Sequence, residues 1–351
     1  VLVDYKGGSA FDVCADLPHT VGMVTDLDGH LAQRALTCLE AELRYREYRL
    51  RDAGAPDLVE FLAGAPSEPM PRLLVVIDEF AALAKELPEF MASLVDVAQR
   101  GRSLGVHLLL ATQRPNGVIN DNIRANTNLR IALRVQDRAD SVDVLGAADA
   151  ATIARSQPGR GYVRRGPGDV VGFQTALVTG PAGTAQLASL QPFVFATDQP
   201  APISASPPAG AATDLDQLVA ATRAAAAQLG LAPPRRPWPD PLPAVVDLED
   251  LVGDSAQVVE GAARIGLADE PAHQRRSVVS WRPEDGNLLL YGVAGSGTST
   301  ALASIALGLA RAMSSDDLHL YVLDFDDQVL SALESLPHVG AVVGAADRER
   351  L

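Results

Sequence analysis

Residues 291–300 read YGVAGSGTST and match a phosphate-binding loop in all but one position. The pattern G-x-x-x-x-G-K-[ST] starts at Gly292, but Thr298 stands where the pattern requires lysine. Glycines let backbone N–H groups turn toward phosphates, and the following helix adds its positive N-terminal end. A lysine bridges the β- and γ-phosphates, so its loss favours weak nucleotide binding or a partner contact over catalysis. The predicted nucleotide-binding residues are Gly292, Gly295, Ser296, Gly297, Thr298, Ser299 and Thr300, with Ser299 as an Mg²⁺ ligand.

An acidic pair, Asp78 and Glu79, follows the apolar run LLVVI at 73–77. An acid at the carboxyl end of a buried parallel strand lies where such sheets bind ligands. We expect Asp78 to hold Mg²⁺ through water and Glu79 to orient and deprotonate the attacking water. Gln113 ends the next apolar run, VHLLLATQ, and is the predicted sensor of the γ-phosphate.

Arginines are frequent near predicted strand and helix ends between residues 100 and 146. In a ring or stacked motor, one subunit can offer an arginine to its neighbour's γ-phosphate. Arg102 is the first candidate for this role, followed by Arg130 and Arg114. A solvated or internally paired side chain remains open for each of them.

The pattern of apolar runs favours an α/β fold. Strands with apolar residues on both faces alternate with helices, which indicates a parallel sheet covered by helices on both faces. The predicted strands are 1–4, 73–78, 106–112 and 129–135, and the predicted helices are 30–50 and 91–104.

Residues 1–26 are repeated at 321–347. Each copy has an apolar strand that ends in aspartate (Asp4 and Asp324), then a short helix, Leu-Pro-His and Val-Gly. In the second copy this strand follows the glycine loop and its helix. We therefore expect two incomplete tandem copies, the back of one nucleotide-binding domain and the front of the next. On this interpretation the sequence is an internal fragment of a longer chain.

The texture of the chain changes between these copies. Residues 1–195 are the predicted Walker B and sensor portion, and 245–351 are the glycine-loop portion. Between them, 196–244 is rich in Pro and Ala and reads as a linker and bridge. It includes an alanine-rich helix at 215–231 and an extended segment at 233–243, which Trp238 is expected to anchor to a surface.

Composition excludes several classes of protein. The net charge of −15 argues against a broad DNA-binding surface, although RYREYRLR at 44–51 offers a local basic patch. No window holds 18 uncharged apolar residues, so no membrane span is predicted. Cys14 and Cys38 have no C-x-x-C spacing or histidine cluster and are predicted to be free thiols.

Taken together, these segments resemble the FtsK/SpoIIIE motor ATPases, and within them the EccC-like tandem ATPases of type VII secretion. The resemblance rests on VDYKGG, VVIDEFAAL, QRGRSLGVHLLLATQRP, IRANTNLRIALRVQDRADSVDVLG, PGRGYVRRG, WPDPLP, IGLADEPAHQRR, GVAGSGTST, VLDFDD and LPHVGAVVG, in family order. It implies RecA-like domains, ATP with Mg²⁺, and hexameric rings or stacked pseudo-rings. It also implies upstream membrane segments, and downstream domains that are often degenerate and dock the C-terminal signal of a secreted substrate.

The resulting hypothesis is a motor ATPase that couples ATP hydrolysis to protein export, with neighbouring ATPase domains and a secreted protein as partners. One alternative is an ATP-driven DNA translocase, which shares every motif of the first half. A second alternative is a non-catalytic docking module for secreted-substrate signals. On the fragment interpretation, this chain alone is expected to be inactive.

Overall fold

The computed structural model describes residues 1–4, 11–25, 29–86, 88–113, 125–127, 129–166, 168–180, 212–252, 260–325 and 329–346. Two compact units make up the chain, Val1–Trp238 and Pro239–Leu351. The predicted domain limits at 195/196 and 244/245 stay predictions.

A four-stranded parallel sheet forms the centre of the first unit. Its strands are β1 (Leu2–Asp4), β2 (Met23–Thr25), β3 (Leu73–Asp78) and β4 (Val106–Leu110), in the order β2-β1-β3-β4. All three ladders are parallel, and Asp4 lies opposite Asp78 in the β1–β3 register. This confirms the parallel sheet predicted from the first three apolar runs.

Helices connect the strands of this sheet, and all but the first of them bury residues in the core against it. They are α1 (Asp12–Ala15), α2 (Gly29–Asp52), α3 (Leu58–Ala63), α4 (Phe80–Glu86) and α5 (Pro88–Leu104). The core joins Leu36 and Leu39 of α2, Leu94 and Val97 of α5, and Ile77 of β3. On the opposite face of the sheet, Leu74 and Leu109 are exposed among the described residues.

A separate antiparallel sheet follows in the same unit. Its strands are β5 (Arg130–Leu133), β6 (Arg160–Gly166) and β7 (Asp169–Gln174). Between β5 and β6 the chain forms α6 (Arg138–Leu145) and a 3₁₀ helix (Asp149–Thr152). The strand order is β5-β6-β7, and both ladders are antiparallel. The expectation that 129–135 joins the parallel sheet is therefore wrong in the described part of the chain. The apolar residues of β5 alternate between buried and exposed positions, since Ala132 is buried while Ile131 and Leu133 are exposed.

Trp238 anchors the extended segment at the end of the first unit, as predicted. Helix α7 (Asp214–Gln228) precedes this segment and starts with a capping box between Thr213 and Asp216. The Trp238 side chain is 5% exposed and lies in the core of the unit. Its Nε1–H donates to the carbonyl oxygen of Ala35 on α2 at 3.3 Å.

In its described residues, the second unit contains two small sheets and one long helix. Strands β8 (Ala263–Glu270) and β9 (Arg275–Trp281) form an antiparallel hairpin, and α8 spans Thr298–Ala312. Strands β10 (Leu320–Asp324) and β11 (Val339–Gly344) are parallel. Short 3₁₀ helices cover Asp250–Val252, Pro271–His273, Pro283–Asp285 and Val329–Ser335. Gly308 of α8 lies close to Ala263, because a Cβ there would be 3.1 Å from that of Ala263.

The sequence repeat corresponds to one local topology in both units. In each copy a strand that ends in a buried aspartate, Asp4 or Asp324, pairs in parallel with the strand after the next connection. The Asp324 carboxylate caps the following 3₁₀ helix, since its Oδ2 accepts from the backbone N–H of Leu330 at 3.0 Å. The two strands and the aspartate are thus the elements that both copies share.

Candidate nucleotide-binding and hydrolysis site

The acidic pair lies in a tight turn at the carboxyl edge of the parallel sheet. Strand β3 ends at Asp78, and helix α4 begins only two residues later, at Phe80. Glu79 therefore turns the chain in a left-handed conformation, with φ of 55°. This region is sparsely populated by non-glycine residues, and such strain clusters at functional sites.

Backbone hydrogen bonds fix this turn to the end of β4. The N–H of Ala111 donates to the carbonyl of Ile77 at 2.9 Å, and the N–H of Phe80 donates to the carbonyl of Ala111 at 3.0 Å. These two bonds lie on either side of Asp78 and Glu79. The residues after β4 and the acidic pair therefore form one rigid edge.

Side-chain contacts orient both carboxylates. The Asp78 Oδ1 accepts from the backbone N–H of Glu79 at 3.0 Å. The Glu79 side chain is 5% exposed, and its Oε1 accepts from the Thr112 hydroxyl at 2.9 Å. Gln113 follows Thr112 and is exposed. The three predicted catalytic residues Asp78, Glu79 and Gln113 thus come from two neighbouring strands.

Two residues of this edge were not assigned by the sequence. Thr112 donates a hydrogen bond to Glu79. The sequence feature that could have indicated it is a hydroxyl residue directly before the predicted sensor Gln113. Asp4 is buried at the same edge, opposite Asp78 in the sheet. Its signal was the matching aspartate in the repeat, which indicates a structural or site role without saying which.

The glycine loop of the second unit folds back on itself before α8. Gly295 and Gly297 have φ of 81° and 90°, which is the conformation that glycine adopts without strain. A Cβ at Gly292 would overlap the Ser296 hydroxyl and lie 2.9 Å from Cγ2 of Thr298. Thr298 is the first residue of α8, and it is half-buried together with Ser299. The loop therefore presents a helix N-terminus, as a phosphate-binding loop does.

The strand predicted before this loop is not confirmed. Within the described residues, 287–291 has no regular secondary structure and no ladder partner. Leu289 and Tyr291 are 88% and 93% exposed. An apolar run becomes a strand only when a neighbouring strand supplies hydrogen bonds. The residues of the run itself do not indicate whether such a neighbour is present.

The candidate arginines differ in their surroundings. Arg102 is exposed at the end of α5, and no described residue forms a hydrogen bond or ion pair with its guanidinium. The Nε–H of Arg130 donates to the carbonyl of Thr127 at 3.0 Å, so this side chain is engaged internally. Arg114 lies outside the described residues. Among the described candidates, Arg102 is thus the one with an exposed guanidinium that no described residue engages.

Two of the four arginines in the basic segment at 44–51 are engaged in contacts inside the unit. Arg46 is buried and lies 2.7 Å from the Glu42 carboxylate. Arg49 donates to the hydroxyl of Tyr45 at 2.8 Å and to the carbonyl of Glu68 at 2.9 Å. These guanidinium groups are used in packing α2, so they do not form a surface for nucleic-acid phosphates.

Comparison with known proteins identifies the family. The model of the FtsK/SpoIIIE family matches residues 1–117 and 255–351, more than half of the chain. The chain belongs to the FtsK/SpoIIIE family. This membership confirms the resemblance inferred from the motifs.

Its relatives within the FtsK/SpoIIIE family include proteins of type VII secretion. The type VII secretion system protein EssC of Staphylococcus aureus is 34% identical over 97% of this chain. The ESX secretion system protein EccC of Geobacillus thermodenitrificans is 34% identical over 100% of it. The chain spans 24% of the length of each of these relatives.

Solved structures confirm the α/β fold of this FtsK/SpoIIIE chain. The cytoplasmic domain of the type VII secretion ATPase EccC of Thermomonospora curvata has a TM-score of 0.78 and 29% identity, covering 99% of this chain and 40% of that one. EssC ATPases 2 and 3 from Geobacillus thermodenitrificans have a TM-score of 0.72 and 17% identity, covering 99% of this chain and 59% of that one. The second likeness supports the fold alone.

The residues of the carboxyl edge are compatible with the nucleotide and metal chemistry of an FtsK/SpoIIIE ATPase. Mg²⁺ in nucleotide sites keeps several waters and uses one or two protein carboxylates plus phosphate oxygens. Among the described residues no cluster of three or more His, Cys, Asp or Glu side chains could hold a metal. A single half-buried Asp78 suits magnesium bound through water better than a closed protein cage.

None of the described helices is long and apolar enough to cross a membrane.

Proposed function

We propose that this chain is part of a motor ATPase that couples ATP hydrolysis to protein export in a type VII secretion-like system. The strained Asp78–Glu79 turn, bonded to the end of β4, carries the catalytic half of this proposal. The type VII secretion names of relatives with 34% identity support the export half.

The chain's residues have distinct roles in this proposal. Asp78 holds Mg²⁺ through water, Glu79 takes the proton of the attacking water, and Gln113 contacts the γ-phosphate. Arg102 reaches the γ-phosphate bound by a neighbouring domain or subunit of a ring. The bound Mg²⁺ supplies charge neutralisation on the β- and γ-phosphates. A glycine loop of the kind formed by residues 292–297 would hold the phosphates at this edge.

The loop at 292–297 serves binding rather than hydrolysis in this proposal. Thr298 supplies no charge to the phosphates, so only backbone N–H groups and Ser299 would remain to hold them. A role of the second unit in docking a secreted protein is a second candidate function. The observation in its favour is the exposure of Leu289 and Tyr291 beside the loop, because apolar exposed side chains favour a partner surface.

DNA translocation is not favoured. The net charge of −15 opposes duplex binding, and Arg46 and Arg49 are paired within the first unit. Salt-sensitive duplex binding by the full-length protein in a filter assay would reverse this preference.

In the intact protein we place this chain on the cytoplasmic side, attached to the membrane through segments outside residues 1–351.

Replacing Glu79 by Gln in the full-length protein tests the proposed function. Loss of the general base is expected to lower the ATP hydrolysis rate by about a hundredfold, since such bases contribute roughly 10²–10⁴-fold. ATP affinity should change little, because the amide keeps the shape of the side chain. Export, measured by mass spectrometry of the culture supernatant, should be lost together with hydrolysis.

The matched control is Glu60→Gln, since Glu60 is an exposed glutamate on α3. This variant should hydrolyse ATP and export protein like the wild type. Wild-type hydrolysis by the Glu79→Gln protein would refute the role of Glu79. Intact export by a variant that no longer hydrolyses ATP would refute the coupling.

A further inference from the structure

Thr112 makes a specific contact with the predicted general base. Its hydroxyl donates to Oε1 of Glu79 at 2.9 Å, across 33 positions of sequence. Glu79 is buried, whereas Thr112 is half-buried. A hydrogen bond to a charged acceptor is roughly twice as strong as one between neutral groups, so this contact restricts the carboxylate.

The backbone around Thr112 leaves this hydroxyl little freedom. Ala111, directly before it, bonds to both Ile77 and Phe80 and so fixes the chain against the turn that carries Glu79. Threonine is also β-branched, which limits the rotamers its side chain adopts. The hydroxyl is therefore a fixed donor rather than a mobile surface group.

We propose that Thr112 is a positioning residue that sets the orientation of the Glu79 carboxylate toward the attacking water. In this role it acts through its hydrogen bond to Glu79. Because Thr112 directly precedes Gln113, the donor that holds the base and the predicted sensor of the γ-phosphate lie on consecutive residues. This inference rests on the proposed function, because it requires Glu79 to act as the base.

Two substitutions at this position separate the hydroxyl from the shape of the side chain. Thr112→Val keeps the branched shape and removes the donor, whereas Thr112→Ser keeps the donor and removes a methyl group. In steady-state ATP hydrolysis by the full-length protein, the valine variant should lose about tenfold or more in kcat with KM unchanged, since a misplaced catalytic group costs up to about 10²-fold. The serine variant should stay within about twofold of the wild type.

A Glu79→Gln background provides the specific control. If Thr112 acts only through the base, Thr112→Val should cause no further loss in that background, because residues that act as a unit are not additive. Equal losses in both backgrounds would overturn the proposal. Melting temperatures of all variants identify any that lose activity by unfolding, and the serine variant then decides between the two explanations.

Crystal structures of the Val and Ser variants give a readout that needs no activity. The Glu79 carboxylate should leave its position beside residue 112 in the valine variant and keep it in the serine variant. An unchanged carboxylate in the valine variant would refute the positioning role even if hydrolysis fell. Should the wild type hydrolyse no ATP, the proposed function fails, and the crystal structures still decide whether Thr112 orients Glu79.

Discussion

Glu79 combines a buried carboxylate with a left-handed backbone. A non-glycine residue in this conformation costs about 1–3 kcal/mol, and a buried charge requires hydrogen-bond donors. The hydroxyl of Thr112 supplies a donor, and the bonds of Ala111 hold the backbone in place. Simple chain reversal does not require a buried glutamate at this position. The combination favours a role in which the direction of the carboxylate matters.

Replacing Thr298 by Lys is expected to restore tight nucleotide binding at the glycine loop. Thr298 begins α8 directly after Gly297, so a lysine there would start from the position that the loop pattern assigns to it. At this loop the wild type should bind ATP weakly, and the lysine variant should bind it there at least tenfold more tightly, as measured by isothermal titration calorimetry with Mg²⁺. Ten-fold corresponds to about 1.4 kcal/mol, a modest value for a charge-assisted contact.

The control for this change is Thr298→Gln, which adds length without charge and should bind ATP no better than the wild type. Tight binding by the unaltered protein would contradict the expectation and remove the reason for assigning a docking role to this loop. Equal gains by the glutamine and lysine variants would show that charge is not the cause.

At the scale of elements, a buried ion pair on α2 secures the extended segment that ends in Trp238. Glu42 and Arg46 are both buried, and Arg46 also donates to the carbonyl of Leu104 at the end of α5. The second oxygen of Glu42 lies 2.6 Å from Arg235, whose guanidinium carbon is 3.9 Å from the centroid of the Tyr45 ring. One carboxylate thus joins two helices and the segment that follows α7.

Glu42→Gln is expected to destabilise the first unit by about 3 kcal/mol, because breaking a buried pair leaves Arg46 without its counter-charge. Glu40→Gln on the same helix is the matched control. Glu40 is exposed and lies 4.0 Å from Arg44, so its loss should cost less than about 1 kcal/mol. Urea unfolding followed by circular dichroism measures both. Equal midpoints for the two variants would show that the buried pair contributes nothing specific.

Elements with strong local signals could be predicted from the sequence. Helices α2 and α5 and strands β1, β3 and β4 lie where periodicity and apolar runs placed them. The acidic pair lies at the carboxyl edge, because its position after an apolar run fixes which end of the strand it occupies. These features depend on residues that are neighbours in the chain.

Features that depend on distant neighbours could not be predicted. Strand β5, like β3, lies in a largely apolar run, and its residues do not indicate which segment pairs with it, here the antiparallel strand at 160–166. The run at 287–291 has the composition of a strand but no described partner. The contact of Thr112 with Glu79 joins two strands, so it appears only once their register is known.

At the scale of the whole molecule, the two units differ in the size of their cores. The first unit buries residues from its parallel strands, from several helices and from Trp238. In the described part of the second unit, the buried cluster consists of Ala263, Ile305 and Leu309. Since burial of apolar surface is the main source of stability, the second unit should be the weaker one.

The chain has two tryptophans, and one lies in each unit: Trp238 in the first and Trp281 in the second. Trp281→Phe leaves fluorescence that reports the first unit, and Trp238→Phe leaves fluorescence that reports the second. In urea, the Trp281 signal should change at a lower concentration than the Trp238 signal, because the second unit has the smaller core. Circular dichroism of the wild type should then show two steps. Coincident midpoints from the two single-tryptophan proteins would contradict independent units of unequal stability.

Trp238 is the last residue of the first unit, and it is buried there. A pulling force applied to the backbone at residue 239 would therefore act directly on a side chain that is buried in the core. The Arg235–Glu42 pair lies three residues further back and transmits such a pull to α2. A force generated after residue 238 would thus act on α2, the longest of the described helices in the first unit.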